Sequence, residues 1–343
     1  MMDRVLVAVL ALGLLAGCGD GNPLSGSDDD TDTGTDPGTD TGTTDPIDSD
    51  GRLPPGTESP TPSSRIVRYE PQDEEAGTGM IRSPAYDREN DTFFVDNLAF
   101  DGNAPYSRDN QVGSLGPFAV YENAATVLDP VTNETIGQFT HKAIYAVSQS
   151  GQTELAIVRT GAYVDYGFGG FVYQRNGGVT LPETGQAIYR GSYAGLKDYS
   201  GAGGLDYVTG DATVAIDFED FNDGSGVSGV ISNRRYYDLD GTDVTETYLT
   251  ALEEQYETDL SAVPDLVFKV GPGVADSNGE MTGELQSIAA GEVFESGNFY
   301  AILSDGADGD KASEVVGVIV VESELPGVSG VTQRETGGFL VSR

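Results

Sequence analysis

The sequence is poor in the residue types on which disulfide frameworks, many active sites and nucleic-acid surfaces depend. It has one cysteine, one histidine, and 18 lysines and arginines against 56 aspartates and glutamates. A single cysteine, Cys18, excludes a disulfide within the chain. The formal net charge of −38 argues against nucleic acid as a partner, because phosphates are bound by basic surfaces.

The apolar run at the start of the chain is short. It extends from Val5 to Leu15, whereas a helix needs roughly 20 apolar residues to cross a bilayer. Because Arg4 precedes the run and small residues follow it, MMDRVLVAVLALGLLAGC predicts a secretory leader over residues 1–17.

Leu15, Ala16, Gly17 and Cys18 resemble the lipobox of bacterial lipoproteins. The resemblance implies cleavage before Cys18 and a covalent lipid on its sulfur, so that the protein contacts a membrane through acyl chains and does not span it. A lipidated Cys18 cannot serve as a thiol nucleophile. Gly19 stands where the best-known sorting systems use aspartate for inner-membrane retention, so the predicted location is the outer membrane, at the cell surface. The alternative is a plain secretory leader followed by an incidental cysteine.

Residues 18–64 consist largely of aspartate, threonine, glycine, serine and proline. Such a segment buries no apolar surface and is predicted to be a disordered acidic linker. As a flexible coil it would span roughly 40 Å. Loose calcium binding is the alternative use of its carboxylates.

The rest of the chain predicts a mainly β protein. Short extended runs bounded by glycine, asparagine and aspartate are typical of antiparallel sheets. In 212–218, alternate residues are apolar, and FNDGSG follows as a turn, so a hairpin is predicted to continue into Val227. One helix is predicted in DVTETYLTALEEQYETDL, with Asp243 as its cap and Tyr248, Leu252 and Tyr256 on one face.

From Leu181 to Arg343 the chain resembles the β-barrel lobes of transferrin-binding protein B and related surface lipoproteins. The resemblance lies in four blocks: GQAIYRGSYAG, GDATVAIDFEDFNDGSGVSGVISN, NFYAILSDGADGDKASEVVGVIVV and GGFLVSR. It implies an antiparallel barrel of about eight strands over 181–343, with one inserted helix, after a smaller β-rich region over 65–180. In such a barrel the first block would be the opening strand, closed by the last block. Glycines at 191 and 195 would relieve crowding where the strands curve.

The chain departs from those receptors in having one such barrel and no disulfide, so transferrin itself is not predicted as its ligand. The resemblance implies a non-enzymatic surface lipoprotein that binds a macromolecular partner or an iron carrier through its barrel. A structural or envelope-assembly lipoprotein facing the periplasm is the alternative.

No catalytic residue or metal site is predicted. His141 lies within an expected strand and lacks a nucleophile pattern around it, and Asp217 and Glu219 fit a solvated strand face. The segments YYDLDGTDVTET and SDGADGDKASEV lack carboxylates at the first and last ligand positions of a calcium loop, so they are predicted to be turns, with weak calcium binding as the alternative. No cofactor is predicted besides the lipid on Cys18.

The stretch SNRRYYD offers the strongest local candidate for partner binding. It places Arg234, Arg235, Tyr236 and Tyr237 side by side in an acidic chain, and arginine and tyrosine are enriched in interface hot spots. The alternative is a strand end whose arginines pair with neighbouring acids.

Overall fold

The structure is a computed structural model that describes residues 53–73, 78–96, 105–123, 127–128, 131–136, 141–163, 166–219, 226–269 and 274–343. The leader, Cys18 and residues 18–52 of the predicted linker lie outside the described residues. The predicted linker extended to residue 64, whereas the chain already pairs before that point: Thr57 N donates to Val67 O at 3.0 Å and Tyr69 N donates to Pro55 O at 2.8 Å. A proline-rich composition resembles a linker, but here its backbone groups extend a sheet edge.

Eleven strands within the described ranges precede the barrel. In chain order they are β1 (Ile66–Tyr69), β2 (Arg82–Asp87), β3 (Thr92–Asp96), β4 (Tyr106–Arg108), β5 (Ser114–Leu115), β6 (Phe118–Asn123), β7 (Val127–Leu128), β8 (Thr135–Ile136), β9 (His141–Val147), β10 (Thr153–Tyr163) and β11 (Tyr166–Arg175). Nine of them form one antiparallel sheet in the order β1-β11-β10-β9-β6-β4-β3-β2, with β5 added beside β6. We call this sheet the N-terminal sheet. Strands β7 and β8 pair separately.

Eight further strands close into an antiparallel barrel. They are β12 (Gln186–Ser200), β13 (Leu205–Asp217), β14 (Val227–Tyr237), β15 (Leu266–Phe268), β16 (Glu280–Ala289), β17 (Glu292–Ser304), β18 (Glu314–Glu324) and β19 (Thr332–Ser342). The four sequence blocks occupy β12, the β13–β14 hairpin, the β17–β18 hairpin and β19. Strand β19 pairs with β12 from Arg190↔Ser342 to Ser200↔Thr332, so the predicted closure of a mainly β, eight-stranded barrel is confirmed.

Strands β12 and β19, whose pairing closes the barrel, carry glycines where a backbone or a tyrosine ring approaches closely. A Cβ on Gly337 would lie 2.0 Å from the hydroxyl oxygen of Tyr193, and a Cβ on Gly191 would lie 2.0 Å from the carbonyl oxygen of Leu340. Tyr193 is 1% exposed and points into the barrel. The Tyr193 ring can therefore lie over the neighbouring strand β19 only because that strand has a glycine, and so no side chain, at position 337.

The predicted hairpin and helix are also present. Ile216 pairs with Val227, and the alternate apolar residues of β13 are buried, while the turn between the two strands lies largely outside the described residues. Helix α1 (Thr245–Tyr256) follows β14 and buries Tyr248, Leu249 and Leu252. It begins after Val244, not at the predicted cap: the Asp243 carboxylate accepts a hydrogen bond from Thr245 N at 2.9 Å, within a turn before the helix. In the described ranges no helix has the length and apolarity required to cross a membrane.

The N-terminal sheet packs against the outer wall of the barrel. One hydrophobic cluster contains side chains from both, among them Ile157 and Phe171 from the sheet and Leu196, Ile302 and Val318 from the barrel. A separate cluster, including Phe93 and Tyr121, fills the opposite face of the sheet. On several barrel strands both faces are therefore buried, one in the barrel interior and one under the sheet.

Candidate functional site

A charged cluster lies inside the barrel, close to the end that α1 covers. Arg234 on β14 lies between two glutamates: its Nη2 is 2.5 Å from Oε2 of Glu295, and its Nη1 is 3.1 Å from Oε2 of Glu335. All three side chains are at most 2% exposed. Burial lowers the pKa of the Arg234 guanidinium, but the carboxylates outweigh burial and raise that pKa well above its ordinary value. Arg234 therefore stays charged inside the barrel because carboxyl groups lie beside it.

Lys197 on β12 adds a second buried cation to this cluster. Its ammonium lies 3.9 Å from the centre of the Tyr236 ring and 3.8 Å from that of Tyr248. Within the described residues no acceptor forms a hydrogen bond with it. Burial lowers the pKa of Lys197 to about 8. Because Tyr248 belongs to α1 and Tyr236 to β14, the two cation–π contacts join the helix to the barrel interior.

A second set of buried ion pairs lies between the N-terminal sheet and the outer wall of the barrel. Each pair joins one residue from the N-terminal part to one barrel residue: Arg159–Asp198 at 2.6 Å, Arg68–Glu280 at 2.6 Å and Glu70–Arg334 at 2.7 Å. Except for the 17% exposed side chain of Arg334, these side chains are at most 7% exposed. Buried charges need partners, so the pairs fix how the sheet is placed on the barrel.

A cleft of about 330 Å³ opens beside the Glu70–Arg334 pair, lined by residues of both the sheet and the barrel. Arg334 donates to Glu70 Oε1 and to Glu322 Oε1 within it, each at 2.7 Å. Arg334 therefore pairs with one carboxylate of the N-terminal part and one of the barrel, and so links the two.

The four residues predicted to bind a partner divide between the two faces of β14. Arg234 and Tyr236 are 2% and 1% exposed and point into the barrel. Arg235 is exposed and pairs with the carboxylate of Asp243, so the predicted pairing with a neighbouring acid occurs there. Tyr237 is half-buried on the outer face. Of these four residues, Arg235 and Tyr237 are therefore the ones on the outer face, and their role in partner binding stays a prediction.

The residues that sequence reasoning missed are the charged ones within strands. Lys197, Glu295 and Glu335 line the barrel interior, whereas Asp198 and Glu280 lie under the N-terminal sheet. The available signal was a charged residue within an extended run, as with the single glutamate of VFESGNFY and the adjacent arginine and glutamate of QRETGGFL.

The side chains considered for catalysis lie in separate parts of the fold. His141 is buried at the start of β9, with its ring centre 6.3 Å from that of Tyr106. Asp217 is on the outer side of β13, where one carboxylate oxygen accepts a hydrogen bond from Gln186 Nε2 at 2.5 Å, and Glu219 is exposed. His141 belongs to the N-terminal sheet, whereas Asp217 ends β13 of the barrel and Glu219 follows that strand.

Both Asp-Gly segments form turns. Gly241 has a φ of +82°, and one carboxylate oxygen of Asp238 accepts hydrogen bonds from the backbone of Asp240 and Thr242. Gly309 has a φ of +78° in the turn between β17 and β18. Among the residues that the structure describes, no group of three or more His, Cys, Asp or Glu side chains is arranged to hold a metal ion.

The two ends of the barrel differ in their connections. At the end where β16 begins and β17 finishes, which we call the tether end, Arg68 donates to Pro54 O, and Arg175 donates to Leu303 O and Pro62 O. The segment leading back to Cys18 therefore meets the barrel there. The opposite end, which we call the helix end, comprises α1 and the turns at 201–204, 290–291 and 325–331.

Comparison with known proteins gives structural similarities alone. No protein-family model and no curated protein matches the chain. Among solved structures, it is similar to a double mutant of the vaccine antigen transferrin-binding protein B from Haemophilus parasuis, with 13% identity and a TM-score of 0.34 over 77% of this chain and 46% of that one. It is also similar to an intact transferrin-binding protein B with N and C lobes, with 12% identity and a TM-score of 0.30 over 77% and 46% of the chains.

A third similar structure is a protein of unknown function from Nostoc punctiforme, with 10% identity and a TM-score of 0.20 over 81% of this chain and 91% of that one. The chain spans about half the length of the transferrin-binding proteins that it matches. Similarity at this level gives no information about what the chain binds.

Proposed function

We propose that the chain is a non-enzymatic, lipid-anchored protein of the outer membrane that binds a macromolecular partner or an iron carrier at the helix end of its barrel. The opposite placement of the two ends carries the proposal. Pro54 and Pro62, which precede β1, contact side chains at the tether end, and the helix end lies at the opposite end of the barrel. The N-terminal sheet packs on the outer wall of the barrel and reaches the helix end at the 201–204 turn, where Gly204 N donates to Gly161 O, whereas the turn at 325–331 lies beside α1.

The outer face of β14 near the helix end has the chemistry of a contact surface. Arg235 is 61% exposed at its side chain. Tyr237 lines a groove of about 470 Å³ that continues onto the turn before β6 in the N-terminal sheet. Arginine and tyrosine supply planar donors and amphipathic rings, which suit partly desolvated contacts.

Membrane attachment is tested by replacing Cys18 with serine. The variant is expected to fold and to leave the membrane fraction, because the acyl chains supply the membrane affinity. Fractionation in high salt measures this. Sedimentation of the Cys18→Ser protein with membranes would show that the anchor lies elsewhere.

Partner binding is tested with the mature chain carrying Cys18→Ser, used to capture proteins from medium and from envelope extracts. The double substitution Arg235→Ala and Tyr237→Ala is expected to weaken capture by about 30-fold, which is a hot-spot effect of about 2 kcal/mol. Arg190→Ala, which removes an exposed arginine of β12 nearer the tether end, serves as the control. Equal loss in the two proteins would discard the site.

Protease treatment of intact cells decides which side of the membrane the protein faces. Cleavage of the wild-type protein is expected, since the proposal places it at the cell surface. Resistance to protease, together with capture of periplasmic envelope proteins alone, would instead identify a structural or envelope-assembly lipoprotein.

A further inference from the structure

A groove with an apolar floor lies at the helix end, between α1 and the turn that joins β18 to β19. Its volume is about 480 Å³, which falls in the range of about 300–1,000 Å³ typical of ligand pockets. The apolar part of its lining, which we call the floor, consists of Ala251, Leu325 and Val328, and the polar part includes Glu254, Gln255 and Glu324. Val328 is 44% exposed, which is high for a valine in a protein whose other barrel valines are mostly buried.

Contacts across the groove hold its two walls in place. Gly327 N donates to Oε1 of Gln255 at 3.2 Å, so the turn is hydrogen-bonded to the helix. Within the turn, Val328 N donates to Leu325 O at 3.0 Å, and Leu325 N donates to Val331 O at 2.8 Å. The exposed valine is therefore presented by a fixed turn and not by a loose loop.

Among the residues that the structure describes, glutamates line the groove and no lysine or arginine does. Helix α1 contains glutamates at 246, 253 and 254 and no lysine or arginine. Burial raises the pKa of the Tyr256 phenol, and the nearby carboxylates of Glu292 and Glu324 raise it further. In the described part of the chain, Glu254, Glu292 and Glu324 form no ion pair, although other carboxylates of the barrel do.

We propose that this groove binds a basic, amphipathic segment of a partner protein, with an apolar side chain on Val328 and lysine or arginine side chains beside Glu254 and Glu324. The inference rests on the proposed function, because it names the chemistry of a partner at the helix end. Charge complementarity supports the occupant: the groove offers unpaired carboxylates around an apolar floor, in a chain of net charge −38. Its position away from the tether end leaves it accessible to another protein.

The test measures binding of a fluorescent synthetic peptide built from Lys-Leu-Leu-Lys repeats to the mature chain carrying Cys18→Ser. Fluorescence anisotropy is recorded at low and at physiological salt. Peptides with serine for leucine, or glutamate for lysine, are expected to bind at least tenfold more weakly, because each lacks one of the two kinds of contact.

Substitutions locate the peptide on the protein. Glu254→Gln with Glu324→Gln is expected to raise the dissociation constant about tenfold at low salt, and Val328→Ser about threefold, since these contacts are surface pairs and one apolar side chain. The matched control is Glu183→Gln with Glu219→Gln, which changes the net charge equally at exposed positions of the tether end. It is expected to change the constant less than twofold.

Two results would overturn the inference. One is equal weakening by the two double substitutions, which would mean that the peptide responds to net charge alone. The other is absence of Lys-Leu peptide binding to the unsubstituted chain. If a captured partner still binds in the second case, the groove inference fails while the proposed function stands, and if no surface partner is captured, the proposed function fails as well.

Discussion

Replacing Arg159 with methionine is expected to destabilise the whole fold, because it leaves a buried carboxylate of the barrel without its counter-charge. The guanidinium Nε and Nη2 of Arg159 lie 2.7 and 2.6 Å from Oδ2 of Asp198, and the two side chains are 0% and 5% exposed. Removing one partner of a buried pair costs about 3–5 kcal/mol. Since domains are stable by only about 5–15 kcal/mol, that loss is large.

The assay is urea unfolding followed by circular dichroism, supported by thermal melts. In proteins somewhat smaller than this one, each kcal/mol of lost stability lowers the melting temperature by roughly 2–4 °C. Arg159→Met should therefore lower it by about 10 °C. Substituting both residues, Arg159→Met with Asp198→Leu, should recover most of the loss, because an apolar pair of similar volume is often as stable as a buried ion pair.

The exposed pair of Arg235 and Asp243 supplies the control. Their side chains are 61% and 32% exposed, so Arg235→Met should leave the urea midpoint almost unchanged, because exposed ion pairs stabilise proteins little. If Arg159→Met cost as little as Arg235→Met, the buried pair would not hold the sheet on the barrel. If the double substitution at 159 and 198 were as unstable as Arg159→Met alone, the orphaned carboxylate of Asp198 would not be the cause.

Three further outcomes are expected. Gly337→Ala should destabilise the barrel by about 1–3 kcal/mol in urea unfolding, because its Cβ would lie 2.0 Å from the Tyr193 hydroxyl; an unchanged midpoint would show that the ring moves freely. Ending the chain at Gln333 should remove the closing strand and abolish cooperative melting, and a sharp melt would contradict that. The pKa of Lys197 in the folded protein, lowered by burial to about 8, lies below its ordinary value of about 10.4. The free energy of unfolding should therefore rise between about pH 8 and about pH 10, by up to roughly 1.4 kcal/mol per pH unit, and Lys197→Met should remove that rise.

Local sequence pattern was sufficient for most strands of the barrel and for its helix, although it did not predict β16. The alternation of apolar residues in β13 reflects a strand with one face in a core, and this period of two is visible in the sequence. The spacing of Tyr248, Leu252 and Tyr256 likewise follows from the period of a helix with one buried face. Glycine and tyrosine in β12 indicated the curved, closed sheet because small residues are needed where strands approach closely.

The packing of the N-terminal sheet on the barrel was not visible in the sequence. Arg68 and Glu280, which pair at 2.6 Å, are 212 positions apart. Each looks like an ordinary surface charge in its own segment, and only the folded chain brings them together and excludes water from both.

The orientation of the SNRRYYD stretch was also decided by tertiary structure. Val227 and Ile231 of β14 point into the barrel. If side chains alternated regularly along the rest of this strand, Arg235 and Tyr237 would also point inward. The pairing of β13 with β14 shifts between Thr209↔Arg235 and Asp211↔Ser232, and Asn233 within this shift has a φ of +54°. One extra residue on β14 reverses the alternation, so Arg234 meets the internal carboxylates and Arg235 reaches solvent. The local sequence is enough to predict which residues form β14, but the register of β14 against β13 determines the face on which each side chain lies.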